Sequence, residues 1–162
     1  MGGTSFDVSL VIGGEPAVTR EKELDYSVPV HVPMIDVHTI GAGGGSIARI
    51  NEAGILQVGP ESAGADPGAI AYGRGGCEPT VTDANLVLGR FNSETITGIT
   101  GATKLESVRA AMVDKIGKCL GLDPVETGAA ILTVANNAMA GAIRFISVEK
   151  GQDPRDFAPF AF

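Results

Sequence analysis

The sequence is poor in the residue types on which several classes of binding site depend. Its 162 residues include no tryptophan and only 5% aromatic residues, which argues against surfaces that stack on bases or sugars. Twelve basic residues stand against 19 acidic ones, and the net charge of −7 gives no footprint for binding nucleic acid or an anionic membrane surface. The only two cysteines, Cys77 and Cys119, lack metal-site or redox-motif spacing, so we expect reduced thiols.

Long apolar runs are also missing. No uninterrupted run approaches the roughly 20 residues of a membrane span, and no basic segment followed by an apolar stretch opens the chain. We therefore expect a soluble, cytoplasmic protein. Glycine is abundant instead: 23 glycines and 9 prolines in a chain that is 44% hydrophobic predict a folded, turn-rich protein. The length fits one domain over residues 1–162.

The first 60 residues predict mainly β-structure. Residues 5–12 alternate in polarity and stop at a Gly-Gly-Glu-Pro turn, which is typical of a strand that enters a hairpin. A further strand is expected over residues 32–40, and a second hairpin is expected around the turn at residues 51–54. Residues 1–60 should therefore form a small mixed β-sheet.

A loop-rich segment with one short helix is expected over residues 61–100. The helix is predicted at residues 83–88, with Thr82 as its N-cap and Gly89 as its stop signal. A structureless connection of the length of residues 60–79 is usually functional or mobile.

The remainder, residues 101–151, predicts helices. Thr103 and Glu106 have capping-box spacing before an amphipathic helix that should end at Gly121. Asp123, Pro124 and Glu126 repeat the start signal of a helix. They begin a long alanine-rich helix that should end before Gly151 and be buried on most sides. Helices packed on a sheet define an α/β fold class.

The opening sequence is the first candidate binding site. Gly2 and Gly3 would let successive backbone N–H groups approach phosphate oxygens, and the hydroxyls of Thr4 and Ser5 would add donors. Asp7 could hold Mg²⁺ through water. No Walker sequence is present, so the spacing alone leaves phosphate binding and an ordinary hairpin end equally open.

A second glycine-rich segment, residues 41–46, follows the strand expected over residues 32–40. Ser46 stands where the dinucleotide-binding fingerprint needs glycine or alanine, and the residues that follow resemble a strand, which argues against a nicotinamide site. Gly43, Gly44 and Gly45 indicate a close backbone approach, either to a ligand or to a neighbouring strand. We favour ligand contact.

Three polar side chains lie near these segments. Asp36 and His38 are two residues apart on one strand face and could act as a general base or a metal pair, although a structural hydrogen-bonding role is the more common one. Arg74, between two glycines, could meet a phosphate or carboxylate. We take Asp36 and His38 as candidate catalytic residues and Arg74 as a candidate cofactor contact.

Six segments in order carry a family resemblance: GGTSFDVSL, VPMIDVHTIGAGGGSIA, VGPESAGADPG, YGRGG, PTVTDANLVLGR and GQDPRDFA. Together they resemble the hydantoinase A family of ATP-dependent N-methylhydantoinases, 5-oxoprolinases and related acetone carboxylase subunits. The resemblance implies an actin-like ATPase (ribonuclease H-like) fold and ATP with Mg²⁺ as cofactors. It also implies that the opening segment is a second phosphate loop, with Gly2, Gly3, Thr4 and Asp7 as contacts and Asp7 as the metal and catalytic carboxylate.

Family members are several times longer, so the resemblance implies that the first ATPase domain is not part of this chain. We therefore expect the nucleotide-binding half of an ATP-dependent ring-opening amidohydrolase, inactive alone, which would act on a cyclic amide or ketone with that domain or a hydantoinase B-type subunit. The alternative is a non-catalytic assembly module. Self-association is expected under either hypothesis, because separation from a partner domain exposes apolar surface.

Overall fold

The computed structural model describes residues 1–19, 22–24, 28–30, 32–90, 92, 101 and 103–161, with backbone alone at 22–24 and 28–30. Contacts within the chain divide it into two compact units. Unit 1 contains Met1–Phe6 and Ile40–Met139, and unit 2 contains Asp7–Thr39 and Ala140–Ala161. The extent of the chain as one domain stays a prediction.

Short strands form most of the first third of the chain. They are β1 (Phe6–Ser9), β2 (Val11–Ile12), β3 (Glu15–Pro16), β4 (Val18–Thr19), β5 (Lys22–Leu24), β6 (Val28–Val30), β7 (Met34–Ile35), β8 (Val37–Ile40), β9 (Ser46–Ile50) and β10 (Leu56–Ser62). The Gly-Gly hairpin is confirmed: β2 and β3 pair antiparallel, and both turn glycines have positive φ, a conformation that glycine adopts without steric cost. The second hairpin is confirmed by the antiparallel pairing of β9 with β10.

The expected small sheet is corrected to a set of ladders. In the part of the chain that the structure describes, strands pair two at a time: β1 with β8, β2 with β3, β4 with β7, β5 with β6, and β9 with β10. The long strand predicted over residues 32–40 is interrupted at Asp36, between β7 and β8. An isolated bridge joins Ile47 of β9 to Thr80.

The helices follow the strands. They are a short 3-10 turn (Ile70–Tyr72), α1 (Val81–Val87), α2 (Leu105–Met112), a π-helical turn (Val113–Gly117), α3 (Lys118–Leu120), α4 (Pro124–Val148) and a final 3-10 turn (Pro154–Asp156). The stop signals at Gly89, Gly121 and Gly151 are confirmed, because each glycine follows a helix and has positive φ.

Two predicted caps are wrong and one is confirmed. The N-cap of α1 is Thr80 rather than Thr82, and it forms a reciprocal capping box with Asp83. The Thr103 hydroxyl does not cap α2 but donates to the Ile70 carbonyl at 2.7 Å. At the start of α4, the Glu126 N–H donates to Asp123 and the Asp123 N–H donates to Glu126, as the sequence predicts.

Helix α4 is less buried than expected. Only 28% of its most apolar stretch is buried, and Val125, Phe145 and Val148 are 49%, 47% and 58% exposed. By length and composition this helix could cross a membrane, which corrects the expectation that no such segment exists. Core helices pass the same test, and α4 does bury Ile131 and Leu132.

One apolar core forms within unit 1. Val108, Met112, Ile116 and Ile131, from the helical third, are each 0% exposed. They cluster with Val81, Ala84, Leu86 and Val87 of α1, with Ala48 of β9 and with residues 69–71. Since burial of one such side chain stabilises a fold by about 1.5–3 kcal/mol, this core fixes α1 against β9 and the helices.

Candidate functional site

The N-terminal turn, Gly2–Ser5, is exposed along most of its length and is held through its own backbone. The Gly2 N–H donates to the Ser5 carbonyl at 2.9 Å. The carbonyls of Gly2 and Gly3 accept hydrogen bonds from Gly44 and Gly45 at 3.0 and 2.7 Å. Among the hydrogen bonds of the described residues, none uses the N–H of Gly3 or the N–H or hydroxyl of Thr4. This turn therefore presents backbone donors to solvent.

The glycine-rich loop, residues 41–46, uses its backbone N–H groups in hydrogen bonds within the protein. Each backbone N–H from Ala42 to Ser46 has a protein acceptor. The Gly43 N–H donates to the buried Ser46 hydroxyl at 2.8 Å, and the carbonyl of Gly44 accepts from both the N–H and the hydroxyl of Thr82 at 2.7 and 2.9 Å. The loop amides are therefore already used, and ligand contact by Gly43, Gly44 and Gly45 stays a prediction.

Close backbone approach explains the glycine at position 43. A Cβ atom there would lie 2.5 Å from the carbonyl carbon of Gly3 and 2.6 Å from the Thr4 nitrogen. Such distances fall well inside van der Waals contact, and backbone atoms cannot rotate away. Of the two reasons the sequence offered for this glycine, the structure shows the approach to a neighbouring backbone segment. The loop is the support on which the N-terminal turn rests.

Asp7, the predicted metal and catalytic carboxylate, lies in unit 2 on strand β1. Its side chain is exposed, and its Oδ1 accepts a hydrogen bond from the Thr39 hydroxyl at 2.7 Å. This hydroxyl donor orients the Asp7 carboxylate, a group that in its ionised form can also bind a cation. No cluster of three or more acidic, histidine or cysteine ligands occurs among the described residues, so any cation here would depend on ligands from elsewhere.

Asp36 and His38 each contact the segment that follows residue 140, within unit 2. Lys150 Nζ forms an ion pair with Asp36, and the His38 ring stacks on Phe145 with centroids 4.4 Å apart. Both side chains are half-buried, and no hydrogen bond joins them to each other. These contacts give each residue a bracing role, while their catalytic assignment stays a prediction.

Arg74 is exposed on the loop after the 3-10 turn. Its Nη1 donates to the carbonyl of Ala65 at 3.2 Å. The backbone on either side is shaped by positive-φ glycines, Gly73 and Gly75. Its role as a cofactor contact stays a prediction.

Asp83, the first residue of the helix that the sequence predicts over residues 83–88, is a buried residue that organises the segments around it. Its carboxylate is 0% exposed and accepts from the N–H groups of Ile70, Ala71 and Thr80 at 3.3, 2.8 and 2.9 Å, and from the Thr80 hydroxyl at 2.8 Å. Burial raises the pKa of Asp83 above its ordinary value, and these four hydrogen bonds oppose part of that rise. The Thr-x-x-Asp spacing was the available signal, since it is a capping-box pattern.

Known proteins resemble this chain over nearly all of its length. The alpha subunit of caprolactamase from Pseudomonas jessenii is 48% identical over 98% of this chain, which covers 23% of that subunit. The acetophenone carboxylase gamma subunit of Aromatoleum aromaticum is 41% identical over the whole chain and 22% of its own length. The 5-oxoprolinase of Saccharomyces cerevisiae is 38% identical over 93% of the chain and 12% of its own length. The chain thus spans less than a quarter of these relatives.

Solved structures agree with the sequence comparison. The crystal structure of ATP-dependent caprolactamase from P. jessenii superposes with a TM-score of 0.86 and 45% identity over 97% of this chain and 23% of its own. Nucleotide-free acetone carboxylase superposes with a TM-score of 0.81 and 26% identity over 97% of this chain and 22% of its own. The Hydantoinase/oxoprolinase family model matches residues 1–162, and the resemblance carried by the six sequence segments is thereby confirmed. The chain belongs to the hydantoinase/oxoprolinase family.

Proposed function

We propose that this chain is a nucleotide-binding part of an ATP-dependent enzyme that opens cyclic amides or activates ketones, built on an actin-like fold. The relatives support this reading, because a caprolactamase structure is described as ATP-dependent and acetone carboxylase as catalysing ATP-dependent carboxylation. The chain corresponds to about a quarter of those proteins, so the complete reaction would need further domains or subunits.

One observation carries the proposal: the N-terminal turn presents unpaired backbone donors on a fixed support. The N–H groups of Gly3 and Thr4 have no acceptor among the described residues, whereas the carbonyls of Gly2 and Gly3 are anchored by Gly44 and Gly45. Successive N–H groups on a glycine turn suit the oxygens of a phosphate chain. Because the carbonyls of Gly2 and Gly3 are anchored, the N–H groups of Gly3 and Thr4 are already ordered, and binding of a phosphate would cost little further conformational entropy.

Mg²⁺ fits the residues that are present. This ion keeps several water ligands and is commonly bound by one or two carboxylates together with substrate phosphates. Asp7 offers one exposed carboxylate, oriented by Thr39, and no dense ligand cluster occurs among the described residues. We propose that Asp7 holds the hydrated ion.

Bound ATP would supply its γ-phosphoryl group to an amide or ketone oxygen, with ADP as the leaving group, and so would make that oxygen easier to displace. The task of this chain would be positional and electrostatic: the N–H groups of Gly3 and Thr4 would offset charge on the phosphate oxygens, and Asp7 would orient the hydrated cation. Because other parts of the enzyme would supply the remaining contacts, we expect about millimolar affinity for Mg·ATP and no ATP hydrolysis by this chain alone.

An NMR titration of the ¹⁵N-labelled chain with Mg·ATP tests this proposal. We expect saturable shifts of the Gly3 and Thr4 amide resonances, and an Asp7→Asn substitution should weaken the binding about tenfold, equivalent to about 1.4 kcal/mol. Asp66→Asn, at an exposed aspartate in a turn, is the matched control and should bind as the unmodified chain does. An absence of shifts at Gly3 and Thr4 at saturating nucleotide would contradict the proposal.

The alternative is a non-catalytic assembly module, and the exposed apolar side chains of α4 favour it. Val125 and Val148 are about half exposed, on a helix that carries few charges. A module of this kind would self-associate or bind a partner through α4 without binding nucleotide. Because self-association is expected under both hypotheses, the NMR titration distinguishes them: the module predicts no nucleotide shifts. Light scattering of the chain and of a Val125→Ser, Val148→Ser variant then tests whether α4 forms the interface, since the variant should disrupt the oligomer.

A further inference from the structure

Thr82 lies at the centre of the contacts that hold the glycine-rich loop. It is the second residue of α1, and both its N–H and its hydroxyl donate to the carbonyl of Gly44, at 2.7 and 2.9 Å. Its side chain is partly buried, and a Cβ atom at Gly44 would lie 3.0 Å from the Thr82 Oγ1. Two donors from one residue on one carbonyl fix the peptide plane of that residue in position and in tilt.

Gly44 passes this constraint to the N-terminal turn. Its carbonyl is held by Thr82, and its N–H donates to the carbonyl of Gly2 at 3.0 Å. The next residue, Gly45, donates to the Gly3 carbonyl at 2.7 Å. The carbonyl of Gly3 belongs to the same peptide unit as the N–H of Thr4, and the carbonyl of Gly2 to the same unit as the N–H of Gly3. Because a peptide unit is planar and trans, fixing each carbonyl sets the direction of the N–H opposite it.

The helix that carries Thr82 is itself anchored. Asp83, the next residue, accepts the N–H and hydroxyl of Thr80 and the N–H of Ala71, all within unit 1. Val81 on the other side of Thr82 is 2% exposed and belongs to the core. Thr82 therefore acts from a fixed point, and a movement of Gly44 cannot be followed by a compensating movement of the start of α1.

We propose that Thr82 is a positioning residue. By fixing the peptide unit between Gly44 and Gly45 it aims the N–H of Thr4, and it also holds Gly44, whose own N–H is bonded to the carbonyl of Gly2. The inference rests on the function proposed above for its ligand, a nucleoside phosphate, but its geometric part holds without nucleotide. Thr82 does not touch the phosphate chain. It acts through two hydrogen-bonded steps: its hydroxyl donates to the carbonyl of Gly44, and the N–H of Gly45, in the same peptide unit, donates to the carbonyl of Gly3.

Amide hydrogen exchange in the nucleotide-free chain tests the geometric part. Thr82→Val keeps the shape and the backbone N–H but removes the hydroxyl, so we expect exchange at Gly44 and Gly45 to accelerate about fivefold, as loss of one hydrogen bond of about 1 kcal/mol requires. Thr82→Ser restores the hydroxyl and should restore slow exchange. Thr133→Val removes a hydroxyl that bonds only within α4 and should leave both amides unchanged. Unchanged exchange in Thr82→Val overturns the inference.

Nucleotide titration of the same variants tests the functional part. We expect Thr82→Val to weaken Mg·ATP binding about fivefold and Thr82→Ser to return it to the original value, with equal unfolding midpoints for Thr82→Ser and the unmodified chain. Normal affinity in Thr82→Val, with faster exchange at Gly44, would overturn the positioning role. If the unmodified chain binds no nucleotide while exchange responds as expected, the proposed function fails and the coupling of Thr82 to the turn stands.

Discussion

Two glycine-rich segments of this protein are alike in composition and opposite in use. The loop at residues 41–46 satisfies each N–H from Ala42 to Ser46 within the protein, whereas the turn Gly2–Ser5 leaves the N–H groups of Gly3 and Thr4 without an acceptor among the described residues. Glycine at position 43 permits backbone to touch backbone, and a Cβ at Gly2 or Gly3 would meet nothing within 4 Å. Glycine content alone therefore does not identify a ligand site; the fate of the N–H groups does.

Among the changes that test this comparison, removal of the buried Asp83 carboxylate should lower the free energy of unfolding most. Asp83→Ala leaves the N–H groups of Ile70, Ala71 and Thr80 without their acceptor, and we expect a loss of about 3 kcal/mol or more in the free energy of unfolding. Urea denaturation measures it. Asp66→Ala, at an exposed turn, should change stability by less than about 0.5 kcal/mol, and a similar loss in both variants would contradict the assignment.

A side chain introduced at Gly43 should push the N-terminal turn away from the glycine-rich loop. In Gly43→Ala the added Cβ would meet the backbone of Gly3 and Thr4, so we expect the turn to move away, Mg·ATP binding to weaken at least about tenfold and stability to fall by about 2 kcal/mol. NMR titration and urea denaturation give the two numbers. Gly141→Ala is the matched control: nothing lies within 4 Å of its Cβ, and alanine should stabilise α4 by up to about 1 kcal/mol.

Removal of the Ser46 hydroxyl should leave a backbone N–H of the glycine-rich loop without an acceptor, as in the N-terminal turn. Ser46→Ala takes away the hydroxyl that accepts the Gly43 N–H, and Ser46 is 0% exposed, so we expect a loss of about 1–2 kcal/mol and faster hydrogen exchange at Gly43. Ser107→Ala, at an exposed position of α2, should be neutral or slightly stabilising. Unaltered exchange at Gly43 would show that the serine hydroxyl does not hold the loop.

The smallest effect should be a dependence of stability on pH. Because burial raises the pKa of Asp83 in the folded chain, the folded state holds that proton more tightly than the unfolded state does. The contribution of Asp83 to the free energy of unfolding is then fully present at pH values below the pKa that Asp83 has in the unfolded chain. It is lost as the pH rises through the higher pKa that Asp83 has in the folded chain. The unfolding free energy of the unmodified chain minus that of Asp83→Asn should therefore fall with pH over this range. A difference that increases with pH would show that the four hydrogen bonds outweigh burial.

Local sequence signals predicted the parts of the fold that are formed by neighbouring residues. Gly13 and Gly14 predicted the β2–β3 hairpin, and the Asp123–Glu126 spacing predicted the cap of α4, because both depend on a few adjacent backbone groups. Thr103 failed as a cap for a different reason: its hydroxyl bonds to Ile70, which lies 33 residues away. Local spacing carries no information on such a competing partner.

The sequence could predict which chemical groups the candidate site offers, but not which residues hold those groups in place. The glycines, hydroxyls and carboxylate of residues 2–7 pointed to phosphate and metal contact, since those groups are chemically suited to it. The anchoring of Gly2 and Gly3 by Gly44 and Gly45 joins segments about 40 residues apart, and the burial of Asp83 depends on a loop that ends 11 residues before it. Only the tertiary structure shows which of these polar groups have hydrogen-bond partners within the protein and which could bind a ligand.

The π-helical turn Val113–Gly117, between α2 and α3, should tolerate the loss of one residue. A residue deleted from a regular α-helix rotates everything beyond it by about 100° and turns an apolar face to water. A π turn already contains one residue more than α-helical geometry needs, so excision of the exposed Asp114 would let the helix close regularly while Met112 before it and Ile116 after it keep their places in the core. At Asp114 we therefore expect the chain to shorten by one residue without a change in the register of the buried residues on either side.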